Sequence, residues 1–442
     1  MIKLHASPSN ALSGRAGIPG DKSISHRALI LSAMAVGQST ITGLLEAEDV
    51  IATARALNAL GVGVQKDDKR GIWYIDGVGP GGLGEPGHVL NMGNAGTAAR
   101  LLIGLVASHH ITCFFDGDES LIRRPMDRVI TPLTAMGARF TARSERYLPL
   151  CVQGSDMTMP ITYTLPVPSA QVKSAILLSG LNTQGTTRVI ESTPTRDHTE
   201  LIFSHFGLDV QHTNNDNGET QIGITGQQDL IPANLHVPRD PSAAAFVIVA
   251  ALITKDSAIE MPGLCLNVRR TGLFAVLEEM GAVITYHNRS MEAGEEIGDV
   301  YAEYTPGLKG VTVPETRISD MIDEIPVLCV AAAFADGTTH IEGLDELRHK
   351  ESDRLATTYD MLTACGVQVE AGENSLTIYG NGEPPTGGVE IDSAGDHRIA
   401  MAAAVLGLGA KNSVTVANAG AIATSFPDFV NIMKTAGANI KE

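Results

Sequence analysis

Six alanine-rich apolar stretches recur along the chain, each opening on a polar or glycine-containing start: DKSISHRALILSAMA from Asp21, GNAGTAARLLIGLVA from Gly93, SAQVKSAILLSGL from Ser169, DPSAAAFVIVAALI from Asp240, SDMIDEIPVLCVAAAFA from Ser319 and GDHRIAMAAAVLGLGA from Gly395. Successive starts are 72, 76, 71, 79 and 76 residues apart. A stretch that is apolar on every side predicts a helix buried in a core. A second series runs alongside. Six amphipathic stretches end in an apolar residue or Ala and then a glycine, at Gly61, Gly137, Gly207, Gly281, Gly366 and Gly437, each followed by a short extended run. Glycine just past a helix end takes the left-handed cap conformation at little cost, so each reads as helix, cap, strand. Short strands are predicted at GIWYID, TTRVIES and SLTIYG.

Two independent series with one period of about 74 residues divide the 442-residue chain into six α/β units. Three units per domain place the boundary near HVPRDPSAAA, where Pro238 and Pro241 bracket the fourth unit's start. The expected domains are 21–238, and 1–20 with 239–442, although the first 20 residues precede every helix and could join either half.

Composition narrows the function. Hydrophobic residues make up 43% and charged residues 19%, which suits large cores and excludes a disordered chain. A net charge of −18 argues against nucleic acid as a partner. The five cysteines, Cys113, Cys151, Cys265, Cys329 and Cys365, are widely spaced and fit neither a disulfide framework nor a thiolate zinc site. The 13 histidines show no metal-ligand spacing, so no metal is expected. Without a leader-like apolar segment or an apolar run long enough to span a bilayer, the chain reads as cytoplasmic and without a membrane partner.

Against this acidic background, basic residues gather at or near unit starts: Lys22 and Arg27, Arg124 in RRPMDR, Arg196 in TRDHTE, Lys350 and Arg354 in RHKESDRL, and Arg398 in GDHRIA. The first turn of a helix offers free N–H groups and a positive dipole end, so this pattern suits small, multiply anionic ligands. The bland alternatives are surface cations at Lys22 and Arg27, and pairing of Arg354 with Glu351 or Asp353 along a helix. His26, His198 and His397 read as structural hydrogen bonders, and Cys113 as buried strand. Asp323 and Glu324, adjacent acids inside MIDEIPV, need partners or a task. GVGPGGLG satisfies GxGxxG, but a turn rather than a helix follows it, so no nucleotide site is assigned there.

In order along the chain, GDKSISHR, GNAGTAAR, RRPM, SAQVKSA, RDHTE, MIDE, ELRHKESDR, DHRIAM and TSFPDF resemble the 5-enolpyruvylshikimate-3-phosphate (EPSP) synthase family. The resemblance implies a two-domain α/β enolpyruvyl transferase fold, each domain three copies of a βαβαββ unit with buried parallel helices and outer sheets, and an active site in the cleft between them. It implies transfer of the carboxyvinyl group of phosphoenolpyruvate to the 5-hydroxyl of shikimate 3-phosphate with release of phosphate, without cofactor, by a monomer open to inhibition by glyphosate.

By the same resemblance Ser23 and Arg27 hold the shikimate carboxylate, and Ser169, Ala170, Arg196 and Lys350 take its phosphate and hydroxyls. Lys22, Gly96, Arg124, Gln171, Arg354 and Arg398 surround phosphoenolpyruvate, and Lys22, Gln171 and Asp323 also belong to the shikimate 3-phosphate set. Asp323 is the candidate base toward the 5-hydroxyl, and Glu351 with Lys22 the candidate proton shuttle; exchange among the three is left open. The family pattern is departed from at Thr424, where many members carry Lys, and at Glu346, where some carry Asn. The nearest rival is UDP-N-acetylglucosamine 1-carboxyvinyltransferase, whose members carry a reactive Cys, or in some cases Asp, five residues before an Arg-Pro pair; Glu119 stands there. From another class, a non-catalytic anion-binding protein would keep the basic clusters without needing Asp323 and Glu351.

Overall fold

The computed structural model describes residues 2–215 and 217–442 and divides into two compact units. The internal unit is Gly20–Val237 together with Glu292–Glu295, and the terminal unit contains the chain up to Pro19, Pro238–Met291 and Glu296–Glu442. Gly20 and Pro238 thus fall on the opposite sides of the boundaries drawn from the sequence. The tip of one hairpin, 292–295, is also counted with the internal unit.

Helices come in pairs. The internal unit holds α1 (Lys22–Met34) and α2 (Glu48–Ala59), α3 (Gly96–Val106) and α4 (Asp127–Met136), and α5 (Ala170–Leu181) and α6 (His198–His205). The terminal unit holds α7 (Pro241–Ile253) and α8 (Gly272–Glu279), α9 (Ile325–Phe334) and α10 (Arg354–Ala364), and α11 (His397–Gly409) and α12 (Phe429–Thr435). Every residue of α7 is buried, and α9 and α11 are each buried but for their last residue. These three pack pairwise on one another, while α3 packs on α5 and on α1. Alanine on facing sides lets such helices approach closely, and their apolar surface cannot face water.

The even-numbered helices are half-buried, and all six end at the predicted glycines, whose φ values lie between 83° and 115°. One predicted start moves. The stretch from Ser319 forms short 3-10 turns over Glu315–Asp320 and Ile322–Glu324, and α9 begins only at Ile325. Pro326 explains this: without an N–H, and with a ring that would clash one turn back, it fits only the first turn of a helix.

Among the described residues each unit carries three four-stranded sheets. In all six an edge strand runs parallel to its neighbour and a third strand runs antiparallel, as in Asn234–His236, Val36–Thr42 and Ile72–Val78. The N-terminal segment supplies strands to two sheets of the terminal unit, with Leu4–Ala6 beside Val414–Ala417 and Ser13–Arg15 beside Ala258–Cys265. That pairing is why these residues belong with the terminal unit although α1 follows them in the chain. Among the described residues no helix is long and apolar enough to cross a membrane.

GVGPGGLG forms the end of the strand Ile72–Val78 and a turn, not a helix start. Its glycines serve packing. A β-carbon on Gly77 would lie 2.3 Å from the carbonyl oxygen of Ala35 and 2.5 Å from that of Ser32, at the end of α1. Gly154, Gly226 and Gly380 lie equally close to the carbonyls ending α3, α5 and α9. Sheet and buried helix can approach only where no side chain intervenes. Gly77→Ala should therefore destabilise the protein by about 3 kcal/mol through forced displacement of backbone. Gly71→Ala, with φ of 65° but nothing within 4 Å, should cost about 1 kcal/mol from conformation alone. Urea unfolding of both variants checks the order.

Candidate active site

In the internal unit the helix starts are bound together by cations. Asp21 caps α1, accepting the Ile24 N–H at 2.8 Å, which places Lys22 in the first turn with its Nζ 2.9 Å from Asp49 Oδ2 on α2. Arg27, buried one turn further on, donates from Nη1 to the Ser23 carbonyl at 3.0 Å, from Nη2 to Ser174 Oγ on α5 at 2.8 Å, and from Nε to Thr199 Oγ1 on α6 at 2.7 Å. One guanidinium so ties three helices, and these partners, being neutral oxygens, orient it without cancelling its charge. Beside it, burial holds His26 well below the usual imidazole value, and Lys22 and Arg27 push the same way. His26 Nδ1 lies 2.7 Å from Thr53 Oγ1.

The start of α3 forms a second cradle. Arg124 is buried, its Nη2 donating to Asn94 Oδ1 at 2.5 Å and Ser120 Oγ at 2.9 Å. Arg100 donates to Gln171 Oε1 at 3.0 Å and to the Pro125 carbonyl at 3.0 Å, and Gln171 Nε2 donates to Thr97 Oγ1 at 2.8 Å. Gln171 therefore bridges the first turns of α5 and α3. A β-carbon on Gly96 would lie 3.1 Å from an Nη1 of both Arg100 and Arg124, so the missing side chain leaves the space in front of two guanidinium groups open. Ser169 caps α5, accepting the Val172 N–H at 3.4 Å; Ala170 opens the helix, and half-buried Arg196 sits in the loop before α6.

The terminal unit repeats the device with carboxylates added. Arg354, first residue of α10 and 1% exposed, donates from Nε to Asp396 Oδ2 at 2.8 Å, from Nη1 to Asp323 Oδ1 at 3.1 Å and from Nη2 to Glu351 Oε2 at 2.6 Å. Burial opposes its charge, but Asp396, Glu351 and Asp323 outweigh that and hold it above its ordinary basicity. Asp323 Oδ1 also lies 3.2 Å from Lys350 Nζ. Arg398 Nη1, in the first turn of α11, lies 3.4 Å from both Glu324 Oε1 and the Ser242 carbonyl, so the starts of α7, α9 and α11 meet at one guanidinium. Arg270 further fastens α7, donating from Nη2 to Asp240 Oδ1 and Ser242 Oγ at 3.0 Å each. Half-buried carboxylates and amines amid fixed cations can move protons on bound anions.

The family model described as EPSP synthase (3-phosphoshikimate 1-carboxyvinyltransferase) matches residues 6–433. The chain belongs to the EPSP synthase family. It is 50% identical to the 3-phosphoshikimate 1-carboxyvinyltransferase of Rhodospirillum rubrum over 99% of this chain and 97% of that protein. It is 52% identical to that of Paramagnetospirillum magneticum over 97% of this chain and 96% of that protein. Among solved structures, EPSP synthase from Acinetobacter baumannii superposes with a TM-score of 0.87 at 39% identity, covering 99% of each chain. The enolpyruvyl transferase NikO from Streptomyces tendae shares the fold, with a TM-score of 0.77 at 18% identity over 99% of this chain and 98% of that one.

Within this family member the sequence-derived residues fall into two sets. Lys22, Ser23, Gly96, Arg124, Ser169, Ala170, Gln171 and Arg196 stand at or near helix starts of the internal unit; Arg27 lies deeper in α1. Asp323, Lys350, Glu351, Arg354 and Arg398 do so in the terminal unit. Arg196 precedes, and Arg354 opens, an amphipathic helix rather than a buried one. Thr424 ends a 3-10 turn and donates to the Ala421 carbonyl at 2.8 Å, and half-buried Glu346 lies in another. Sequence reasoning missed Asp49, Arg100 and Asp396. Arg100 lies one helical turn after Gly96 and was open to detection by that spacing, and Asp396 was read within a helix-start motif only. Asp49 is 27 residues from its partner, with no local signal.

Asp396→Asn removes one charge from a pair with both side chains at most 1% exposed and should destabilise the protein by about 3 kcal/mol. Asp336→Asn, in the exposed pair with Lys309, should change stability by less than about 1 kcal/mol. Equilibrium unfolding in urea compares them.

Proposed function

We propose that this chain transfers the carboxyvinyl group of phosphoenolpyruvate to the 5-hydroxyl of shikimate 3-phosphate, releasing phosphate. The observation that carries the reading is the arrangement around Asp323, whose Oδ1 is held at 3.2 Å from Lys350 and 3.1 Å from Arg354, with Glu351 on the same guanidinium. Two substrates that bring two phosphates and two carboxylates need many fixed cations to offset their mutual repulsion. The same carboxylates provide the proton transfers, and a purely anion-binding protein has no use for them.

In this reading Ser23 and Arg27 orient the shikimate carboxylate, with Ser169, the Ala170 N–H, Arg196 and Lys350 on its phosphate and hydroxyls. Lys22, Gly96, Arg124, Gln171, Arg354 and Arg398 hold phosphoenolpyruvate. Asp323 takes the proton of the 5-hydroxyl as its oxygen attacks the central carbon of the enolpyruvate, while Glu351 and Lys22 deliver a proton to the methylene carbon. The tetrahedral adduct then loses that methyl proton and expels phosphate, restoring the double bond as the vinyl ether of the acceptor. Carbon–oxygen bonds formed and broken balance, and no oxidant or cofactor enters. One chain carries both residue sets, consistent with action as a monomer, and its highly charged substrates, which do not cross a bilayer unaided, are consistent with a cytoplasmic reaction.

The rival acceptor, UDP-N-acetylglucosamine, is disfavoured because Glu119 stands where that family carries Cys or Asp, and the nearest cysteine in sequence is not placed to substitute. Cys113 is fully buried in the strand Thr112–Asp116, and burial first, then Glu85 and Cys151, push its thiol up to about 12. Burial thus works against a reactive thiolate there.

Phosphate release from phosphoenolpyruvate should require shikimate 3-phosphate and not occur with UDP-N-acetylglucosamine. Asp323→Asn and Glu351→Gln should each lower kcat by about 100-fold or more while calorimetric binding of shikimate 3-phosphate persists. Turnover only with the nucleotide sugar would overturn the acceptor assignment. Glyphosate should compete with phosphoenolpyruvate in the space in front of Gly96. Gly96→Ala, whose β-carbon reaches 3.1 Å from Arg100 and Arg124, should raise the glyphosate inhibition constant about tenfold or more, as each 1.4 kcal/mol of lost contact is tenfold. A wild-type inhibition constant far above the KM for phosphoenolpyruvate would refute this.

A further inference from the structure

Lys173 is the fourth residue of the buried helix α5, and nothing in the reaction above uses it. It lies on α5 with 1% of its side chain exposed, its Nζ 2.9 Å from Glu191 Oε2, 2.7 Å from Glu200 Oε1 and 3.5 Å from the Thr195 carbonyl. Both carboxylates are equally buried. Burial alone would lower the basicity of the ammonium, but the charges of Glu200 and Glu191 outweigh it and raise it. An ion triad of this kind is expensive to bury and adds little to stability over apolar packing, which directs attention to what it holds in place.

Its partners bracket one loop. Glu191 ends the strand Thr186–Glu191, Glu200 lies in the first turn of α6, and the chain between them carries Thr195 and Arg196. Thr195 Oγ1 donates in turn to Glu191 Oε1. The ammonium thus fastens the loop at its entry, its middle and its exit. The neighbours of the triad in sequence, Ser174 after Lys173 and Thr199 before Glu200, are 2.7 Å apart and are the two hydroxyls that orient Arg27. Arg27 and Arg196 therefore stand on a common buried base.

We propose that Lys173 is a positioning residue for the acceptor substrate: through Glu191, Glu200 and Thr195 it sets the loop bearing Arg196 and the hydroxyl pair behind Arg27. This rests on the function proposed above. It acts on the phosphorylated acceptor more than on the enolpyruvate donor, of whose proposed contacts Gly96, Arg124, Arg354 and Arg398 stand on other elements than the triad. A geometric error at the two arginines weakens both of their charge-assisted bonds to the acceptor's anionic groups together.

The experiment measures kinetics and calorimetric binding of shikimate 3-phosphate for the wild type, Lys173→Met and Thr195→Val. Lys173→Met should raise the acceptor KM and dissociation constant at least tenfold, with the KM for phosphoenolpyruvate changed less than twofold. Thr195→Val, which keeps every charge and removes only the hydroxyl bond to Glu191, should raise the acceptor KM about threefold to tenfold with the same selectivity, and it stands as the test if Lys173→Met fails to fold. Acceptor and donor constants that move together, or acceptor constants that do not move in folded variants, overturn the proposal. A wild type that neither binds nor turns over shikimate 3-phosphate refutes the function and not the positioning role alone.

Discussion

Each unit buries three helices that are apolar on nearly every side, and this constraint shapes everything else. A helix without a polar face can present chemistry only at its ends. In the internal unit Arg27 bonds α1 to α5 and α6, and Arg100 with Gln171 bonds α3 to α5; in the terminal unit Arg398 joins the starts of α7, α9 and α11. Bringing helix starts together sums their positive dipole ends and unpaired N–H groups. Such a cluster is electrostatically unfavourable until carboxylate caps or bound anions complement it. The capping aspartates Asp21, Asp240 and Asp396 answer part of that need, and the phosphorylated substrates of the proposed reaction answer the rest.

The two units solve the problem differently. The internal unit orients its cations largely with hydroxyls, amides and carbonyls, as at Arg27, Arg100 and Arg124. Neutral partners hold a guanidinium in place and leave its charge available to a ligand. The terminal unit surrounds Arg354 with three carboxylates, which suits acid and base work more than raw anion capture. In the proposed reaction, the division of labour between anion binding and proton transfer follows from these partner choices rather than from the number of arginines.

Much of the local structure was legible before any coordinates. Glycine caps, the buried helices and the strands GIWYID, TTRVIES and SLTIYG appear where periodicity and turn chemistry place them. The exception at Ser319 is itself a local effect that Pro326 announces. The turn after the strand in GVGPGGLG was legible, but the reason for Gly77, contact with the carbonyls ending α1, involves a partner more than 40 residues away. The same limit applies at the site. Arg100 lies one turn from Gly96 and was within reach of helical spacing, whereas Asp49 beside Lys22 and Asp396 beside Arg354 are partners brought in by the fold.

By itself the sequence determined the sixfold repeat, the buried and amphipathic helix of each unit, and the residue types that carry the chemistry, because those depend on composition and on spacings of a few residues. Only the tertiary structure decided which carboxylate neutralises which cation, which arginines are oriented by neutral oxygens, and that Lys173 underlies the loop bearing Arg196. Those outcomes depend on distances between groups far apart in the chain, and Coulomb and hydrogen-bond energies are settled by such distances and by burial, neither of which a linear pattern contains.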